Sequence, residues 1–350
     1  MNKIEETVAG IRPLNHEVME RVKDHIDQLT KPTGSLGRIE EVAIQLAGIT
    51  EKERPTVDSP AIIVAAADHG ITAEGVSAYP QELTKLMIEN FLRDGAAINV
   101  FGHEIGASVS VVDVGVNSEM THPNLLSKKV RSGTANFLEE DAMTHSEARE
   151  AIEVGLEVAE ALIHSGHRLL IIGEMGIGNT TASSALLATF LDENVEDLVG
   201  RGTGLDEQAR VNKINTIETA IARRKPDRND PIDVVAKVGG LEIAALAGVL
   251  LQATRLRIPV LVDGFISSTA AVLAYHLCPT VKDYFILSHQ SVEQGHRAVF
   301  RCLEKKPLLD LDLRLGEGTG AALAYPLVKA STSMVANMAT FADLGIKAKA

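Results

Sequence analysis

Short aliphatic runs alternate with helix-length amphipathic segments along most of this chain, the pattern of a parallel α/β sheet. Five runs carry it: Ala61–Ala67, Ser108–Val112, Leu169–Ile172, Pro259–Val262 and Tyr284–Leu287. The segment before the third run shows how the helices are written. Thr144-His145-Ser146-Glu147 reads as a capping box, Ala148, Ile152, Gly155, Leu156, Ala159 and Ile163 recur at helical spacing, and Gly166 takes the C′ position. Residues 1–50 read differently, with helical periodicity broken by Lys31–Gly37, a second helix from Arg38 and no strand. The last twenty-odd residues also read as helical. The expected organisation is a mostly parallel sheet flanked by helices over residues 51–329. Residues 1–50 and about 330–350 are expected to form a small helical domain beside it.

The residues at the ends of the runs point to a site. Four runs reach a carboxylate at or just past their ends, at Asp68, Asp113, Glu174 and Asp263, and the fifth reaches Ser288-His289. Open parallel sheets bind ligands beyond the carboxyl ends of their strands. Asp and Gly also start ordinary turns, so any one of these endings carries little weight. The five together favour a site.

Composition narrows the class. Hydrophobic residues make up 45% and charged residues 23% of 350, which excludes a disordered chain. With 3% aromatics and no Trp, the core has to be aliphatic. The net charge of −13 disfavours nucleic acid and anionic membranes as partners, while leaving room for a local pocket that takes one small anion. Cys278 and Cys302 supply neither a disulfide framework nor a cysteine zinc motif. The start lacks an apolar signal core, and the most apolar stretch, Ile243–Leu251, is half the length of a membrane span. A cytoplasmic enzyme is expected, with no metal or cofactor.

Three glycine-rich turns lead into helices: Gly173–Thr181, Gly200–Leu205 and Leu315–Gly320. Glycines let backbone N–H groups approach an anion, and a helix N-terminus adds a favourable field. Thr180, Thr181, Thr203 and Thr319 add hydroxyl donors. A single turn of this kind is weak, but three favour a phosphate-bearing ligand. The first nearly spells a Walker A loop, with Gly173, four residues and Gly178, yet Asn179 stands where the phosphate-gripping lysine belongs. Nor does it complete the dinucleotide fingerprint, because Thr181 replaces the last glycine.

Glu317, between Gly316 and Gly318, is the most informative single residue. Its charge would oppose a phosphate at the same amides. Either it faces a reacting proton as a general base, or it complements the dipole of the helix that follows. Glu174 is the second carboxylate candidate. No G-x-S-x-G elbow and no H-E-x-x-H occurs, and the spacing of His69, His289 and His296 demands no metal, so structural histidines are expected there.

The segments KPTGSLGR (Lys31–Arg38), ADHGITAEGVSAYP (Ala67–Pro80), FLRDGAAIN (Phe91–Asn99), GEMGIGNTT (Gly173–Thr181), GRGTGL (Gly200–Leu205), VDGF (Val262–Phe265), SHQ (Ser288–Gln290) and LRLGEGTGA (Leu313–Ala321) follow in this order. Together they resemble the nicotinate-nucleotide–dimethylbenzimidazole phosphoribosyltransferase family over essentially the whole chain. The resemblance implies a homodimer with a Rossmann-like sheet and a small helical domain built from both chain ends. It also implies transfer of the 5-phosphoribosyl group of nicotinate mononucleotide to 5,6-dimethylbenzimidazole, giving α-ribazole 5′-phosphate and nicotinate for the lower ligand of cobalamin. Glu317 then becomes the base. Gly176, Gly178, Asn179, Thr180, Gly202 and Thr203 hold the phosphate with Lys213 as charge partner, and Glu174 lies near the ribose or the nicotinate. Tyr79, Pro80, Met87 and Leu315 wall the flat base.

Two other classes compete. A non-catalytic sensor of a nucleotide on the same fold could dispense with Glu317. A P-loop NTPase would need the lysine that Asn179 replaces.

Overall fold

The computed structural model describes residues 2–200, 204 and 206–346. Six strands form one parallel sheet: β1 (Pro60–Ala67), β2 (Ser108–Gly115), β3 (Leu125–Ser127), β4 (Leu169–Met175), β5 (Val260–Val262) and β6 (Phe285–Leu287), in the order β3-β2-β1-β4-β5-β6. A second, two-stranded sheet pairs β7 (His289–Gln290) with β8 (Leu309–Asp310). The strand order reverses between β1 and β4, which opens the crevice where ligands bind in such folds.

The runs are unbroken because both faces of the sheet are covered. In β1, Ala61, Ile63, Ala65 and Ala67 enter one apolar cluster and Ile62, Val64 and Ala66 the other. The first cluster is closed by the helices His145–His164, Leu241–Arg255 and Phe265–Leu277, and the second by Leu83–Leu92, Ala97–Glu104 and Thr319–Asn337. Two covering helices touch backbone to backbone. A Cβ on Gly155 would lie 1.8 Å from the Ala245 carbonyl oxygen, and one on Gly248 would lie 2.0 Å from that of Ile152. The small-residue composition of these helices is what allows that approach.

Thr144 caps its helix as the sequence predicts. Its hydroxyl accepts from the Glu147 N–H at 3.2 Å, the Glu147 carboxylate accepts from the Thr144 N–H at 2.8 Å, and Gly166 adopts φ +108°. A third cluster joins the helices His16–Gln28 and Arg38–Thr50 to the end of Thr319–Asn337 through Val22, Ile26, Ala43, Ala47, Met334 and Val335. Ile4, on the short helix Lys3–Ala9, packs instead into the main core.

The sequence reading needs three corrections. β2 and β4 run past the expected ends, so Asp113 and Gly173–Met175 belong to strands and not to turns. The strands β3, β7 and β8 are two or three residues long, too short for periodicity to register. The final long helix stops at Asn337 rather than running on through the last residues. No helix among the described residues is long and apolar enough to cross a membrane.

Candidate active site

The Glu317 turn is built against β4. Gly316, Glu317 and Gly318 have φ of +85°, +65° and +96°, so a non-glycine residue sits in the left-handed region between two glycines. Such a residue costs roughly 1–2 kcal/mol and persists only where its surroundings hold it. One restraint is Gly173, whose missing side chain lets the turn rest on the strand: a Cβ there would meet the Glu317 carbonyl oxygen at 2.2 Å. The other restraint comes from beyond β5. The Asp263 carboxylate accepts the N–H groups of Gly318 at 3.0 Å and Ala321 at 2.9 Å, capping the helix Thr319–Asn337 from outside its own sequence.

Glu317 is 4% exposed, and its Oε2 has no hydrogen-bond partner. Burial pushes its pKa up to about 7; the Ile98 N–H works against this and the Asp263 charge adds to it. Glu174 is also buried, near the end of β4, and its Oε2 accepts a short hydrogen bond from the Asn179 side-chain amide. Burial, together with the charges of Glu242 and Asp263, pushes its pKa up to about 8 against that hydrogen bond.

Asn179 opens the helix Asn179–Leu191, behind Gly178 at φ +96°, and the Ile177 N–H donates to the Thr84 hydroxyl at 3.1 Å. The lysine absent from the loop arrives from elsewhere. Lys213, buried on the helix Glu207–Arg224, donates to the Thr180 hydroxyl at 2.7 Å. Burial pulls its pKa down to about 8 despite the nearby Glu293.

Beneath the turn, His69 bonds Glu242 through Nε2 at 2.8 Å, both side chains being fully buried. Burial lowers the His69 pKa, but Glu242 and Asp68 outweigh it, so the net direction is upward. His296 bonds the Ser268 hydroxyl and the Ser291 N–H, and burial drives its pKa down to about 3, leaving it neutral. His289 differs from both. It lines the cleft, with Nδ1 at 3.0 Å from the Ser288 hydroxyl and 3.6 Å from Asp263.

A cleft of about 210 Å³ gathers most of the expected residues: Tyr79, Met87, Glu174, Gly176, Asn179, Thr180, Leu315 and Glu317 all line it. Pro80, Gly178 and Lys213 do not reach its wall; Gly178 caps a helix, and Lys213 stands behind Thr180. Gly202 and Thr203 lie outside the described residues. Phe265, His289 and the exposed Arg314 share the lining, with Asp263 behind it; the sequence predicts His289 as a structural histidine and Asp263 only as a strand-end carboxylate, and gives no role to Phe265 or Arg314. The signal for Asp263 and His289 was present in the strand endings. Arg314 and Phe265 had none beyond their places within the motifs LRLGEGTGA and VDGF.

A family model described as Phosphoribosyltransferase matches residues 11–346. The nicotinate-nucleotide–dimethylbenzimidazole phosphoribosyltransferase of Chloroflexus aggregans is 51% identical over 350 residues, covering 100% of this chain and 99% of the relative. That of Halalkalibacterium halodurans is 50% identical over 346 residues, covering 99% and 97%. Among solved structures, CobT from Thermus thermophilus superposes with a TM-score of 0.92 at 46% identity, covering 95% of this chain and 100% of that one. With a full-length match of this identity and a sheet of the same architecture, the chain is an enzyme and belongs to the nicotinate-nucleotide–dimethylbenzimidazole phosphoribosyltransferase family.

Proposed function

We propose that this enzyme transfers the 5-phosphoribosyl group of nicotinate mononucleotide to 5,6-dimethylbenzimidazole with inversion at the anomeric carbon, and that Glu317 is the general base. The carrying observation is the Glu317 carboxyl group: buried, with one oxygen unpartnered, in the wall of the cleft. A base is most effective with a pKa near the working pH, and burial brings that of Glu317 to about 7.

The chemistry asks for little else. Nicotinate leaves from a pyridinium, so the electron pair of the breaking glycosidic bond returns to the ring nitrogen without a protonation step. One imidazole nitrogen of the acceptor attacks the opposite face of the anomeric carbon. As that bond forms, the other ring N–H becomes acidic, and Glu317 accepts its proton. Tyr79, Met87 and Leu315, with Pro80 beside them, flank the planar acceptor; an aromatic ring and a flexible thioether suit it. The phosphate sits at Gly176, Asn179 and Thr180, with Gly178 setting the helix start behind them and Lys213 acting through Thr180; the family resemblance adds Gly202 and Thr203 to this set. Glu174 lies near the ribose or the nicotinate. The protein works as a homodimer, as the family resemblance implies.

The test mixes the purified protein with both substrates and follows nicotinate and ribazole phosphate by chromatography and mass. Stoichiometric products, lost in Glu317→Gln, are expected. Nicotinate without ribazole phosphate would make the enzyme a hydrolase or assign it another acceptor.

A further inference from the structure

We propose that Asp263 is the positioning residue for Glu317: it holds the strained turn by capping the following helix from the end of β5, and so fixes where the base stands. This rests on the reading of Glu317 as the base.

Three observations converge on it. The helix Thr319–Asn337 has glycine at its N-cap, so no side chain there can bind its open N–H groups, and the Thr319 hydroxyl is spent on the Gly316 carbonyl at 2.8 Å. Asp263 supplies two acceptors, one oxygen to Gly318 and the other to Ala321, on either side of the helix start. The carboxylate is itself held: it is 1% exposed, with His289 Nδ1 at 3.6 Å. The His289 ring in turn packs on the bare Cα of Gly320, where a Cβ would come within 2.0 Å of Nδ1. Strand end, histidine and helix start therefore form one block, and Glu317 is the residue just before it.

The ionisable groups around the base fix the electrostatic signature. Glu174 approaches from β4, Asp263 from the end of β5 and His289 from β7, while the helix Ala97–Glu104 contributes the Ile98 N–H; Glu242 acts on Glu174. Burial pushes the Asp263 pKa up, while the His289 charge and the N–H groups of Ala321, Gly318 and Gly264 favour its ionised form; ionised, it raises the pKa of Glu317, so removing its charge makes Glu317 a stronger acid.

The isosteric Asp263→Asn tests the inference, because its amide turns a donor toward an N–H that needs an acceptor. A misplacement of about 1 Å at a reacting group costs on the order of 100-fold. We therefore expect kcat to fall about 100-fold, KM for nicotinate mononucleotide to change little, and the acid limb of the kcat profile to move to lower pH. In a Glu317→Gln background the same substitution is expected to change the residual rate less than about threefold, because residues that act through one another are not additive. Equal losses in both backgrounds, or an unmoved acid limb, would reduce Asp263 to a structural cap and overturn the proposal, as would near-wild-type turnover. If Asp263→Asn does not fold, Asp263→Glu keeps the charge but displaces it by one methylene. It is then read in the same two backgrounds, a loss confined to the Glu317 enzyme supporting the proposal and an equal loss overturning it. Full activity of Glu317→Gln alone would instead sink the underlying assignment of the base.

Discussion

Glu174 and Glu317 face the same cleft and are built in opposite ways. Glu174 stands in a regular strand, in register with Ala65 of β1, and its carboxyl group is occupied by Asn179. Glu317 stands in a strained turn between two glycines, and one of its oxygens has no partner. Burial raises both pKa values, to about 8 and about 7. The strand holds the Glu174 carboxyl group rigidly in a buried place, near the charges of Glu242 and Asp263, so it keeps its proton at neutral pH. The turn leaves one buried oxygen of Glu317 without a partner in the cleft wall, where it can take a proton from a bound acceptor.

The sharpest way to break this contrast is at Glu317. Glu317→Gln is expected to lower kcat by about 10²–10⁴-fold, the usual worth of a positioned base, with an unchanged circular dichroism spectrum. A loss of only a few-fold would make the residue a helix-end charge. Glu174→Gln addresses stability. In the folded protein Glu174 keeps its proton up to about pH 8, whereas the unfolded chain loses it near the ordinary value of 4.5. The folded state therefore binds more protons between those limits, and this group makes stability decline as pH rises through them. Glutamine removes the decline, so the variant is expected to be more stable than wild type at pH 8.5, by on the order of 2–4 kcal/mol, and unchanged near pH 4.5. Thermal melts at both pH values decide it. The smallest effect is on the rate profile. Because Glu174 is mostly neutral at pH 7, Glu174→Gln is expected to move the acid limb assigned to Glu317 only slightly, whatever it does to the rate itself. A large displacement would mean that the two carboxyls titrate as one coupled pair.

Much of this was legible in the sequence. The five strand runs announced themselves because a sheet buried on both faces needs unbroken aliphatic segments, and Thr144 and Gly166 marked a helix by chemistry that acts within a few residues. Glu317 was legible for a related reason: a carboxylate between glycines has no packing purpose. What escaped was long-range. Nothing near Asp263 says that it caps a helix starting 56 residues later. Only the family resemblance set Lys213 beside Thr180, since no local pattern does so, and nothing near His69 says that its partner is Glu242. The strands β7 and β8 pair through two residues each, below any periodicity.

The helix Thr319–Asn337 is a rod of 19 residues, roughly 28 Å long at 1.5 Å per residue. One end abuts the base; the other, through Met334 and Val335, is wedged among the helices His16–Gln28 and Arg38–Thr50. Pro326, between the two ends, removes one N–H donor from its hydrogen-bond ladder. The helix therefore ties the turn that carries Glu317 to the packing of the two chain ends. Heat or mild denaturant that loosens the terminal helices is expected to lower activity before the far-UV signal of the sheet is lost, as activity and circular dichroism followed together would read.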